Sequence, residues 1–242
     1  MQDDPFYHLV FSHRLKAVYA PIPKAACSTW KSIFRASQGL PPTSNYALLH
    51  SRRDNGLVYA HAIDRVELIR ILFGRNGGYF KFVVGRNPYA RLASAYNDLV
   101  RRIDGAPPRG GTSVDRLVDL YARKRDLKPS EMKDGLTFEQ FIECIGLDDP
   151  YQMDRHWQPQ VVLSCSNLIT YDLYAQMEAG FEEIFARLDH RPKAIPHLNR
   201  VSQGSFDLRE LYTENVIEIV KRVYANDFRR FRYSADIVPQ RT

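Results

Sequence analysis

The feature that most constrains this chain is a repeated pairing of a short apolar run with a segment of helical period. Ala17-Val18-Tyr19-Ala20 is closed by Pro21, and Trp30, Ile33 and Phe34 then fall at helical spacing. Leu57-Val58-Tyr59-Ala60 leads through His61 into a helix carrying Val66, Ile69, Leu72 and Phe73. Gly77-Gly78 breaks the chain before Phe80-Lys81-Phe82-Val83-Val84. Asn87-Pro88 then opens a helix, with Asn as N-cap, Pro at the first position and Leu92, Ala95, Tyr96 and Leu99 as its apolar stripe. After the loop 104–113 come a polar, basic helix over Val114–Arg125 and a capping box, Thr137 to Gln140, leading into Phe141, Ile142 and Ile145. Leu168-Ile169-Thr170-Tyr171 reads as a fourth strand, followed by helices over about 174–188 and 214–231. Strands alternating with helices imply parallel crossovers, hence an α/β fold of three layers with a central parallel sheet flanked by helices. No linker divides the chain, so residues 1–242 read as a single domain.

Open parallel sheets bind ligands beyond the carboxyl ends of their strands. Pro23–Thr29, His61, Arg86-Asn87 and Asp172 are therefore expected to line one crevice. The composition admits this: 242 residues, 44% of them hydrophobic, suffice for one α/β core without staples. The net charge of +6, from 34 Lys and Arg against 28 Asp and Glu, suits an acidic partner and equally a solvated basic surface. Three cysteines, Cys27, Cys144 and Cys165, fit neither a disulfide framework nor a zinc site, and the histidines lack ligand spacing, so no metal is expected. The acidic start, Met1 to Pro5, is not a signal peptide, and no run of eighteen apolar residues occurs. Taken as the native start, it implies a cytoplasmic protein without stable membrane insertion.

Two segments carry the chemistry. Ile22-Pro23-Lys24-Ala25-Ala26-Cys27-Ser28-Thr29-Trp30-Lys31 is a strand-to-helix turn. Its small residues let backbone N–H groups approach an anion, Lys24 adds a charge, and Ser28 and Thr29 add donors. The same residues also describe an ordinary helix start with a stray lysine. No Walker A pattern is present. In Val83–Asn97, Arg86 sits at a strand end and Ser94 two turns into a helix, and an arginine fork with a hydroxyl suits a phosphate monoester.

Together the segments resemble the carbohydrate sulfotransferases of the Golgi and their bacterial relatives. Pro23-Lys24-x-x-Cys27-Ser28-x-Trp30-Lys31 is similar to that family's 5′-phosphosulfate loop, and Arg86-x-Pro88-Tyr89-x-Arg91-Leu92-x-Ser94-Ala95-Tyr96 to its 3′-phosphate motif. Leu136–Phe141, His156-Trp157-Gln158-Pro159-Gln160 with Cys165 and Tyr171-Asp172, and Tyr224–Tyr233 extend the likeness in the same order. Asn87 stands where the family usually has Asp, and can still cap the helix. Ser166-Asn167 stands where a second Cys is common.

The resemblance implies a P-loop-like fold and transfer of a sulfuryl group from 3′-phosphoadenosine 5′-phosphosulfate (PAPS), leaving 3′,5′-ADP, with no metal. The nucleotide site would comprise Pro23, Lys24, Ala25, Ala26, Cys27, Ser28, Thr29, Trp30, Arg86, Ser94 and, in the loop 199–205, Arg200. Lys24 would stabilise the leaving charge. The base for the acceptor hydroxyl would be His61, whose surroundings resemble the heparan 6-O-sulfotransferase pattern, with His156 as its rival. The acceptor would be a sugar or polysaccharide. It could be anionic if the basic groups Arg52-Arg53, Arg101-Arg102 with Arg109, and Arg123-Lys124-Arg125 with Lys128 form a groove. Two other classes stay open: a P-loop-type kinase, which needs Mg²⁺ and a strand-end carboxylate such as Asp172, and a non-catalytic anion or nucleic-acid binder. The basic clusters lie apart from Trp30 and Trp157, so no nucleic-acid partner is expected.

Overall fold

A computed structural model describes residues 4–41, 43–74, 78–103, 106–132, 134–188 and 208–237. The strands are β1 (Val10–Ser12), β2 (Ala17–Ala20), β3 (Val58–Tyr59), β4 (Phe80–Gly85) and β5 (Leu173–Gln176). The α-helices are α1 (Cys27–Ser37), α2 (Tyr46–His50), α3 (Arg65–Phe73), α4 (Pro88–Ala95), α5 (Thr112–Arg125), α6 (Phe138–Leu147), α7 (Gln160–Leu163), α8 (Glu182–Leu188), α9 (Leu208–Leu211), α10 (Glu214–Val223) and α11 (Ala225–Phe231). By packing, the chain falls into two compact units. The first is Met1–Arg86 with Gln160–Ser202, and the second is Asn87–Pro159 with Gln203–Thr242.

The first unit holds the sheet, in the order β3-β1-β2-β4-β5. It is mixed rather than parallel. β1 runs antiparallel to β2 and to β3, while β2–β4 and β4–β5 are parallel. The cause is β1, a three-residue strand absent from the sequence-based expectation. Only four residues separate it from β2, too few for a crossover, so the pair must be a hairpin. Because β1 alone is reversed among the described strands, β2, β3, β4 and β5 still point the same way, and their carboxyl ends share one edge.

A second correction concerns the last strand. It lies at Leu173–Gln176, not at 168–171. Leu168 and Ile169 instead donate their N–H groups back to the Cys165 carbonyl, which makes a turn with Ile169 buried and Leu168 exposed. Asp172 thus precedes β5. Its N–H donates to the Lys81 carbonyl and its carboxylate accepts from the Lys81 N–H at 2.7 Å, at the amino end of the sheet. It is no part of the crevice edge. The helix expected from 174 begins only at Glu182.

The core of this unit is aromatic. Trp30 and Phe34 of α1 meet Tyr19 of β2 and Phe82 of β4, and Phe185 of α8 closes over Trp30. Asn55, wholly buried, knits the other side: its side-chain amide donates to the Leu49 carbonyl and the Tyr59 hydroxyl, its side-chain oxygen accepts from the Leu57 N–H, and its own carbonyl accepts from Arg35. This ties α2, β3 and α1 together and fixes where α2 ends.

The second unit is helical within the described residues. Tyr89, Leu92, Phe141, Ile145, Trp157, Val216, Val220 and Phe228 form its core. The capping box of α6 forms as expected, Gln140 N–H to the Thr137 hydroxyl and Thr137 N–H to the Gln140 side chain. The helix expected over 214–231 is divided at Tyr224, whose buried hydroxyl donates to the Trp157 carbonyl. Among the described residues no helix is long and apolar enough to cross a membrane.

Candidate functional site

The loop after β2 is built from two opposed demands. Ile22 and Ala25 are buried and anchor it, and the Ala25 N–H donates to the Ile22 carbonyl, turning the chain. Lys24 (φ 67°) and Ala26 (φ 59°) both adopt the left-handed conformation that side chains resist. That costs on the order of 1 kcal/mol each, and such strain persists where the surroundings over-determine it. Ala26 is the N-cap of α1 and makes no side-chain capping bond, and no acidic residue stands in the helix's first turn. The positive end of an eleven-residue helix is therefore uncancelled by local carboxylates.

Arg86 directly follows β4, the strand paired in parallel with β2, so topology sets it beside this loop. Its guanidinium Nη1 donates to the Lys24 carbonyl at 3.2 Å. Its backbone is held at two points by Gln160, which is wholly buried: the Arg86 N–H donates to Gln160 Oε1 and Gln160 Nε2 donates to the Arg86 carbonyl, both at 2.9 Å. Lys24 and Arg86, separate candidates in the sequence, thus share one corner of the first unit.

The other candidates are placed as follows. Pro23, Lys24, Ala26 and Cys27 are partly exposed, and Ser28 and Thr29 are largely buried at the start of α1. Trp30 is wholly buried in the aromatic core and seats the helix there. His61 is exposed in a single turn after β3. It lies at the carboxyl edge, but on the outer strand, two strand spacings, roughly 10 Å, from β2. Its Nδ1 is 3.3 Å from Arg52, whose guanidinium lies over the rings of Tyr7 and Tyr59. Arg200 and its loop lie outside the described residues.

One residue near the loop has no signal in the sequence. His50, last in α2, has Nε2 3.0 Å from the Ser28 hydroxyl and Nδ1 3.4 Å from the Lys31 ammonium nitrogen, with its ring stacked on Tyr46. Nothing local marks it. It comes to α1 through the Asn55 network, which no periodicity reveals.

In the second unit Ser94 is buried in α4. Arg91, three residues earlier, is wholly buried and donates to the carbonyls of Gln158 and Arg155 at 2.7 and 2.8 Å. His156 sits in that same turn, its Nδ1 2.7 Å from Asp154, which also accepts from the Ser113 hydroxyl at 2.6 Å. Burial pushes the Asp154 carboxyl up, but hydrogen bonds from the His156 ring, Ser113 and the His156 backbone, with the His156 charge, outweigh it and hold the carboxyl at about 2. Ser113 and Asp154, with Thr112, Arg116, Gln152 and Trp157, line a cleft of about 360 Å³. Of the basic residues, Arg109 is paired with Asp98 and Arg125 with Glu143, so part of the basic charge expected to meet an anionic acceptor is already neutralised.

Residues 7–234 match the sulfotransferase family. The chain belongs to that family. It is 30% identical to carbohydrate sulfotransferase 14 of Homo sapiens over 194 residues, 79% of this chain and 48% of that protein. It is 28% identical to carbohydrate sulfotransferase 9 of Homo sapiens over 201 residues, 80% of this chain and 43% of that one. Carbohydrate sulfotransferase 11 of Rattus norvegicus is 26% identical over 183 residues, 73% and 50% of the two chains. The chain spans about half the length of these relatives or less. No solved structure gives a significant match.

Proposed function

We propose that this sulfotransferase-family chain, acting as one domain, moves a sulfuryl group from PAPS to a hydroxyl of a carbohydrate acceptor, on a P-loop-like strand–loop–helix. The observation that carries the reading is the Arg86-to-Lys24 contact, because it joins the two motif segments at one strand edge. An S–O bond to the acceptor oxygen forms as the S–O bond to the nucleotide phosphate breaks, and the acceptor hydroxyl gives its proton to a base. Lys24 and the start of α1 offset the charge left on the 5′-phosphate. Arg86 binds the 3′-phosphate, and its guanidinium suits a monoester. His61 is the proposed base, with His156 as its rival.

The kinase alternative depended on a carboxylate at the crevice edge, and Asp172 lies at the opposite end of its strand, bound to the Lys81 backbone. A direct test offers labelled PAPS, and separately ATP with Mg²⁺, to a panel of polysaccharides with and without chelator. Label should pass from PAPS to a sugar hydroxyl undiminished by chelator. Transfer only from ATP, abolished by chelator, would overturn the reading.

A further inference from the structure

We propose that His50 is a positioning residue that aims the Ser28 hydroxyl at the nucleotide's 5′-phosphate group. The inference deepens the PAPS reading and rests on it. Lys31 Nζ stands 3.4 Å from His50 Nδ1, and an ammonium can only donate, so Nδ1 is the acceptor. The neutral ring then carries its proton on Nε2. That atom is 3.0 Å from Ser28 Oγ, so the imidazole donates and the serine oxygen accepts. The single hydrogen of Ser28 is thereby turned away from His50.

Ser28 is the second residue of α1, where an anion held at the helix start is expected. The chain Lys31 to His50 to Ser28 carries positive polarisation to that point through three side chains. Its geometry is fixed from behind. Asn55 holds the Leu49 carbonyl, one residue before His50, and Tyr46 covers the imidazole face at 4.1 Å. Ser28 and Lys31 lie on consecutive turns of α1, so both ring nitrogens are addressed by one rigid helix. His61 has no such link to the loop.

The experiment measures 3′,5′-ADP affinity by calorimetry, and the KM for PAPS, on the full chain and its variants. His50→Ala should weaken 3′,5′-ADP about tenfold, and Ser28→Ala by at least as much, as expected for a lost bond to a charged group. His50→Gln, whose amide can still donate to Ser28, should recover affinity to within about threefold. In the Ser28→Ala background, His50→Ala should add nothing. An unchanged affinity in His50→Ala, or an undiminished loss in the Ser28→Ala background, would overturn the proposal. The imidazole nitrogen shifts of the wild-type protein give a reading that does not depend on any variant folding. A proton on Nε2 is expected, and one on Nδ1 would contradict the relay. If the wild type binds no 3′,5′-ADP, the PAPS reading fails and the inference falls with it. Binding that ignores His50 sinks the inference alone.

Discussion

Replacing Lys24 by glycine should leave the fold as stable as before and reduce sulfuryl transfer by roughly 10²–10³-fold, the usual effect of removing one group that stabilises transition-state charge. Lys24 holds φ at 67°, where a β-carbon is unfavourable and glycine is not. The relief, on the order of 1 kcal/mol, is offset by glycine's greater freedom when unfolded. The melting temperature should therefore move by less than about 4 °C in a chain of this size. Most substitutions that abolish activity also risk the fold, and this one separates the two. A stable Lys24→Gly protein with full turnover would remove Lys24 from the chemistry.

The largest stability effect is expected at Arg91. Arg86 and Arg91 stand five residues apart in one motif, and the structure gives them different work. Arg91 has no route to a ligand: it is 1% exposed and donates to two backbone carbonyls in the turn 155–158. Arg91→Leu leaves both carbonyls without those donors, each costing about 1–3 kcal/mol, so a loss of about 3 kcal/mol is expected in urea unfolding with an unchanged slope. Arg86→Ala should cost far less stability, because Gln160 grips the Arg86 backbone and not its side chain. Equal losses at the two positions would refute this division of roles.

These contrasts show what sequence could and could not reveal. β2, β4, α3, α5 and the capping box of α6 were legible because their signals are local: an apolar run, a period, a cap. β1 was not, since Val10-Phe11-Ser12 is too short to show a period and becomes a strand only by pairing on both sides. β5 was misplaced because 168–171 and 173–176 are similarly apolar, and the choice between them is made by pairing with Phe82–Gly85. At the site, Lys24 and Arg86 were visible as residue types at strand ends. Their contact needed the β2–β4 pairing, which order along the chain does not specify. Gln160 was visible only as the end of a motif and His50 not at all, and the contacts of both were hidden for a related reason. Their partners lie 74 and 22 residues away, and neither glutamine nor histidine is unusual in its local setting. Trp30 was named through the motif resemblance, and its packing against Tyr19, Phe82 and Phe185 was not legible there.

The central claim is that the corner formed by the Lys24 loop and Arg86 is built for a nucleotide bearing a 3′-phosphate. Calorimetric titration of 3′,5′-ADP and of 5′-AMP into the wild type and into Arg86→Ala tests it most directly. The account predicts a strong preference for 3′,5′-ADP in the wild type, and loss of that preference in the variant with 5′-AMP binding unchanged. Equal binding of the two nucleotides by the wild type, or a preference that survives Arg86→Ala, would contradict it.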